Sequence, residues 1–132
     1  MSADYPSMTT AEIRSKFLNF FEERGLKLYP SSSLVPDDPS LLLANAGMNQ
    51  FKEYYQGKKT MKEIGAISCQ KCVRTNDIDC IGEDGRHLSF FEMLGDFSFG
   101  GVSKQQACAW AFELITKEFK LPLDRLYFTV FT

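Results

Sequence analysis

The sequence predicts an α+β domain in which a mostly antiparallel sheet is flanked by helices. Two amphipathic stretches supply the helices, each opened by a capping-box pattern: Thr9 with Glu12, and Ser103 with Gln106. Between them lie extended apolar runs punctuated by glycine and proline, including one long hairpin. A helix, strands, a second helix and a further strand form the order of a layered α+β unit.

Taken in order, residues 1–8 read as a flexible lead-in and residues 9–132 as one domain. The first helix turns Ile13, Phe17, Leu18, Phe20 and Phe21 toward a core, and Gly25 stops it. Residues 27–29 form a short strand that Pro30 ends, and the polar, proline-punctuated residues 31–39 are loop. Leu41, Leu42, Leu43 and Ala44 read as a buried strand, broken by Asn45, Ala46 and Gly47. Residues 49–56 form a short helix and residues 57–59 a turn. Residues 64–74 and 88–94 pair as strands around a loop at 76–85, and Gly95, Gly100 and Gly101 mark turns. The second helix carries Ala107, Trp110, Ala111, Leu114, Ile115 and Phe119 at helical spacing. Pro122 breaks it before a last strand over residues 126–132. That aromatic strand would be an exposed edge if nothing followed it, so the sequence is expected to belong to something longer.

Composition excludes several classes. A chain of 132 residues suits one domain or part of one. Such a chain buries roughly two thirds of its unfolded surface. An apolar fraction of 44% with twelve phenylalanines argues against disorder. A net charge of −2 is too small for general affinity toward nucleic acid or acidic membranes, so any nucleic-acid contact must be local. No apolar run approaches the length of a membrane span, and no signal-peptide pattern is present. The expected location is the cytoplasm, with the four cysteines as reduced thiols.

Chemistry concentrates in residues 72–100, CVRTNDIDCIGEDGRHLSFFEMLGDFSFG. Arg74 closes one strand, a polar loop follows, and Arg86 and His87 open a second strand bearing Phe90 and Phe91. A guanidinium can grip a phosphate through two parallel hydrogen bonds, and an aromatic face can hold a base by stacking. The hairpin thus carries parts for both ends of a nucleotide. The pattern alone also admits a surface arginine over packing phenylalanines, which is the commoner arrangement. Alternation puts Ser89, Phe91 and Met93 on one face, and Phe90, Glu92 and Leu94 on the other. If the first face is a nucleotide floor, Phe91 and Met93 belong to it together, and Glu92 needs a partner on the opposite face.

Cys69 and Cys72 form a CxxC, with Cys80 and His87 further on. Zinc ribbons use such pairs in tight turns. Here the pair lies in an extended run that sends the two thiols to opposite faces, and a second CxxC is absent. Packing thiols and no bound zinc are the expectation. His87, the sole histidine, cannot build a catalytic triad unaided, and no nucleophile elbow or phosphate-binding glycine loop is present. Lys58, Lys59 and Lys62 read as a solvated basic face.

Four blocks stand out in order: TAEIRSKFLNFFEERG (10–25), SSSLVPDDPSLLLANAGMNQFK (31–52), QKCVRTNDID (70–79) and RHLSFFEMLGDFSFG (86–100). Through them the chain from Thr10 to Thr132 resembles the N-terminal part of the catalytic domain in bacterial-type alanyl-tRNA synthetases, a family of class II aminoacyl-tRNA synthetases. The resemblance implies a partial class II catalytic fold, without the third class II motif or the tRNA-reading and editing domains. It implies ATP-dependent activation of alanine to alanyl-adenylate and transfer to tRNA. ATP, alanine and tRNA are then the partners, and magnesium (Mg2+) accompanies ATP.

In the family pattern the residue matching Arg74 contacts the α-phosphate and is catalytic. Phe91 matches the phenylalanine that stacks on adenine, and Met93 lies beside the base. Asp77, Arg86 and His87 match loop positions near the nucleotide. The chain departs from the pattern in places. Leu88 stands where a second histidine is frequent, Ala44 where threonine is frequent, and a glycine-lysine insertion of some members is missing after Arg74. With half the site elsewhere, the chain alone is expected to be inactive. The alternative is a free-standing nucleotide-binding or regulatory module derived from a synthetase.

Overall fold

The computed structural model describes residues 7–131. Most of the expected lead-in over residues 1–8 lies outside the described residues, as does Thr132. Helix α1, Thr10–Glu22, begins at a complete capping box. The Glu12 amide donates to the Thr9 hydroxyl at 3.2 Å, and the Thr9 amide donates back to the Glu12 carboxylate at 2.7 Å. Two amide donors that a helix start leaves free are satisfied in this way. Gly25 turns the chain after the helix at φ +88°, a conformation that costs glycine little.

Among the described residues the sheet has three strands, in the order β1 (Lys27–Leu28), β2 (Gly65–Val73), β3 (Phe90–Ser98). β1 runs parallel to β2, with Lys27 opposite Ala66 and Leu28 opposite Ile67. β2 and β3 are antiparallel along their whole length, from Gly65 opposite Ser98 to Val73 opposite Phe90. The sheet is therefore mixed, and antiparallel over most of its pairs. Tyr29 extends the short parallel ladder by donating its amide to the Ile67 carbonyl at 2.9 Å.

Two layers cover β2. On one face α1 and the end of α3 (Lys104–Glu113) bury Phe17, Phe20, Phe21, Leu26, Ile67 and Leu114, with Leu94 and Trp110 packed alongside. On the other face lies the segment leading into α2 (Lys52–Tyr55), whose Phe51 is 1% exposed against the ring of Phe97 at 4.9 Å. Most of β2 is consequently buried, including the polar Ser68 and Gln70. Gln70 is fully partnered. Its Oε1 accepts from the Ser32 amide at 2.8 Å and from Gln50 Nε2 at 3.1 Å, and its Nε2 donates to the Lys71 carbonyl at 2.8 Å. A buried amide without those partners would be costly. Gln70 thus fastens the proline-rich loop and the α2 segment to the central strand.

Glu92 finds its partner on the helical face. Arg14 of α1 donates to the Glu92 carboxylate from Nη2 at 2.5 Å and from Nε at 3.1 Å. The guanidinium holds the Glu92 carboxyl below the usual carboxylate range. A depressed folded-state pKa stabilises the fold above the unfolded pKa, about 4.3 for Glu, and that contribution is lost as pH falls through the folded value. Both side chains are about one third exposed, so Arg14→Ala should cost no more than about 1 kcal/mol at neutral pH. The same variant should show a shallower fall in urea midpoint between about pH 5 and pH 3. An acid limb as steep as that of the unchanged chain would remove the pair from the pH response.

Four expectations are corrected. Residues 41–44 do not form a strand, and Leu42 is 89% exposed. The Leu41 amide turns back to the Asp38 carbonyl at 3.0 Å, and Ala44 donates to the Leu34 carbonyl at 2.8 Å and accepts from Val73 at 2.9 Å, so the run bonds to the sheet at one residue instead of pairing along it. Gly95 is not a turn; it sits inside β3, where the Phe97 ring lies 2.6 Å from the place a Cβ would take. A missing side chain there lets an aromatic ring lie over the strand.

The third correction concerns α3. Only Leu114 of its expected core face is buried; Trp110, Ile115 and Phe119 are half-buried, while Ala107 and Ala111 are exposed. The helix meets α1 chiefly through its last turns, which widen to π geometry over Leu114–Glu118. Its start keeps half of the expected capping box, the Gln106 amide donating to the Ser103 hydroxyl at 3.2 Å. Finally, residues 126–131 are not a strand. An extended segment becomes one only when a neighbour takes its amides and carbonyls, and among the described residues the sheet ends at β1 and β3. Tyr127, Phe128, Val130 and Phe131 are 65–102% exposed.

Candidate functional site

Where β2 ends and β3 begins, the hairpin opens into a loop over residues 74–89, closed at its mouth by the Arg74 amide donating to the Ser89 carbonyl at 2.8 Å. A cavity of about 300 Å³ lies there, lined by Arg74, Asp77, Ile81, Arg86, His87, Leu88 and Phe91. Five of the six residues singled out from sequence therefore line one pocket. The sixth, Met93, lies two residues further along β3 on the same face as Phe91 and accepts the Gly47 amide at its sulfur, 3.1 Å away.

The floor comes from strand alternation. Cys72 and Phe91 are directly opposed, as are Gln70 and Met93, and opposed residues share a face. Phe90, one position out of phase, is half exposed and lines no wall of the pocket. Arg74 lies with its guanidinium carbon 5.2 Å from the centre of the Phe91 ring, within cation–π range. Its Nε donates to the Asn45 carbonyl at 3.0 Å. The side chain is thus held by a base-sized aromatic ring on one side and a backbone carbonyl on another.

The far wall is built by an acidic turn. Asp84 accepts the amides of Arg86 at 2.9 Å and His87 at 3.0 Å, and its other oxygen meets His87 Nδ1 at 2.5 Å. Those backbone bonds hold the Asp84 carboxyl below its ordinary range. Asp84 therefore stays ionised at neutral pH, fixes the backbone at Arg86 and His87, and holds the His87 ring; both residues line the cavity. Two guanidiniums and an imidazole face one open side, with an aromatic floor beneath. The arrangement suits a planar base linked to a phosphate better than a purely apolar ligand.

A second, larger cleft of about 570 Å³ runs between residues 32–39 and residues 49–58. It is crossed by Lys52, which bonds Asp38 at 2.6 Å. Lys52 and the Ser40 hydroxyl and amide hold the Asp38 carboxyl well below the usual carboxylate range. That ion pair ties the proline-rich loop to α2.

Sequence reasoning missed Asp84, Asn45 and the apolar lining of Ile81 and Leu88. The Asp84-Gly85 dipeptide is a turn signal that could have exposed the first. Asn45 acts on Arg74 through its backbone carbonyl, which no residue type announces.

Cys72 is fully buried beneath the floor, and Cys69 is half-buried on the opposite face, where burial raises its thiol despite Arg14 nearby. Among the described residues no three of His, Cys, Asp and Glu gather as metal ligands. Exposed Cys80 and Cys108 should react with an aromatic disulfide reagent first, Cys69 later and Cys72 only on unfolding. Two fast thiols out of four is the expected count, and simultaneous reaction of Cys69 and Cys72 would contradict the opposed faces. No described helix is long and apolar enough to cross a membrane.

Comparison with known proteins gives consistent results. The family model for tRNA synthetases class II (A) matches residues 12–132. An alanine–tRNA ligase of the chloroplast and mitochondrion in Sorghum bicolor is 56% identical over 119 residues, which are 90% of this chain and 12% of that protein. The alanine–tRNA ligase of a Synechocystis strain is 51% identical over 131 residues, 99% of this chain and 15% of the relative. That of Pseudothermotoga lettingae is 52% identical over 124 residues, 94% and 14% respectively. The chain thus spans about one seventh of the length of the relatives it matches.

Proposed function

Since this chain belongs to the class II tRNA synthetase family, we propose that it forms one jaw of the ATP site of an alanine–tRNA ligase. The observation that carries this reading is the single pocket gathering Arg74, Asp77, Arg86, His87 and Phe91. In the proposed role the adenine ring lies on Phe91, with Met93 beside it. Arg74 takes the α-phosphate, and Arg86, His87 and Asp77 line the approach of the remaining phosphates and ribose.

The reaction needs no covalent enzyme intermediate. The alanine carboxylate attacks the α-phosphorus, the bond to the bridging oxygen breaks, and pyrophosphate leaves. The acceptor-end hydroxyl of tRNA then attacks the alanyl carbonyl and loses its proton, the ester bond forms as the carbonyl-to-phosphate oxygen bond breaks, and AMP leaves. Catalysis is positioning plus neutralisation of charge that grows at the phosphate, and Arg74 supplies the neutralisation. Magnesium would arrive bound to the ATP phosphates and would screen their charge. The lining does not fit a resident ion: Asp77 is its one carboxylate, and among the described residues no three of His, Cys, Asp and Glu gather as ligands.

Cytoplasmic location follows as part of the same proposal, with tRNA and alanine as partners of the whole ligase. A free-standing regulatory module is the disfavoured reading, because relatives at 51–56% identity over almost this whole chain are ligases. The chain alone should bind ATP weakly, near millimolar, and should not catalyse alanine-dependent pyrophosphate exchange. Calorimetric titration tests this: Phe91→Ala should weaken ATP binding further. Micromolar affinity or exchange by the isolated chain would overturn the one-jaw reading, and no heat at saturating ATP would overturn the site itself.

A further inference from the structure

We propose that the Asn45 carbonyl, braced by the Asn49 side chain, is a positioning group that turns the Arg74 guanidinium end-on to its phosphate. The proposal rests on the reading above that Arg74 grips ATP. A guanidinium carries five N–H donors, one on Nε and two on each Nη. It can grip an oxyanion side-on, through Nε and one Nη, or end-on, through both Nη atoms. Here Nε is already committed to the Asn45 carbonyl at 3.0 Å. Only the end-on edge remains.

The carbonyl is itself held. Ala44, the preceding residue, donates to Leu34 at 2.8 Å and accepts from Val73 at 2.9 Å, next to Arg74 in the chain. Asn49 Nδ2 donates to Asn45 Oδ1 at 3.1 Å, four residues on. Gly47 presses against the sheet, where a Cβ would stand 3.2 Å from the Phe97 ring, and its amide reaches Met93. The segment carrying Asn45 is therefore anchored before and after the carbonyl. Phe91 limits the guanidinium from a further side. An arginine immobilised before the ligand arrives loses less rotamer freedom on binding, and affinity gains accordingly.

The test follows the Arg74 Nε proton by NMR in this chain labelled with 15N-arginine, without ligand and then with ATP. Asn49→Ala and Asn45→Ala remove the same side-chain bond and leave the backbone carbonyl in place. Each should speed solvent exchange of the Arg74 Nε proton severalfold, and the double variant should be no faster than the faster single one. Arg14 Nε, bonded to Glu92, serves as the internal reference and should not change, whereas general loosening would move both. ATP affinity should fall about three- to tenfold, the loss expected for one hydrogen bond. Unchanged Arg74 exchange in both variants, or faster exchange with full ATP affinity, overturns the positioning role. If ATP leaves every Arg74 signal of the unaltered chain unmoved, the phosphate assignment fails instead, and the Asn45 contact stands or falls on the ligand-free exchange alone.

Discussion

Arg74→Ala, placed in an alanine–tRNA ligase that carries this segment, is expected to lower alanine-dependent pyrophosphate exchange by about 10²–10³-fold, the usual cost of removing one preorganised charge-stabilising donor. The loss should fall mainly on kcat, because charge at the α-phosphate grows in the transition state and is weaker in bound ATP. Arg74→Lys should recover little. An ammonium keeps the charge but lacks the planar fork. It cannot offer one edge to Asn45 and another to phosphate. Stability should hardly change, since the Arg74 side chain is exposed and its loss returns one carbonyl to water; about 1 kcal/mol is the ceiling. Exchange within a fewfold of the unaltered enzyme would remove Arg74 from the mechanism.

Much of this site could be read from spacing. The period of two along β3 separated Phe91 and Met93 from Phe90, and the structure keeps that separation. It also demanded a partner for Glu92, which Arg14 supplies from across 78 residues of chain. Periodicity failed where burial comes from a partner the pattern does not contain. Leu41, Leu42 and Leu43 are as apolar as a strand, yet the Leu41 amide turns back to Asp38 and it is Ala44 that bonds to β2. Ala107 and Ala111 share the spacing of Leu114, but α1 reaches only the last turns of α3. Gly95 looked like a turn because a missing side chain has two uses, and here it admits the Phe97 ring. The Asn45 carbonyl was invisible for a different reason: every residue carries one, and only the path of the chain decides where it points.

That path depends on Phe51, and Phe51→Ala is expected to have the largest effect on stability. The ring is 1% exposed and meets Tyr29 at 5.3 Å, Phe97 at 4.9 Å, Phe99 at 6.1 Å and Tyr54 at 6.4 Å. Truncating such a side chain costs about 3–5 kcal/mol through lost burial and the cavity left behind. A typical domain holds only about 5–15 kcal/mol in all, so the variant should unfold at far lower urea. Phe112 and Phe128 are 46% and 65% exposed and face each other at 6.1 Å. Alanine at either should cost about 1 kcal/mol or less, because little area leaves water there on folding. Phe51 lies two residues beyond Asn49 and packs the same covering segment onto the sheet. Its loss should therefore loosen the Asn45 carbonyl and weaken ATP binding even under conditions where the chain stays folded. Phe128→Ala should do neither. A Phe51→Ala chain with an unchanged urea midpoint would mean that this segment only rests on the sheet, and the wall that aims Arg74 would then have no foundation in the fold.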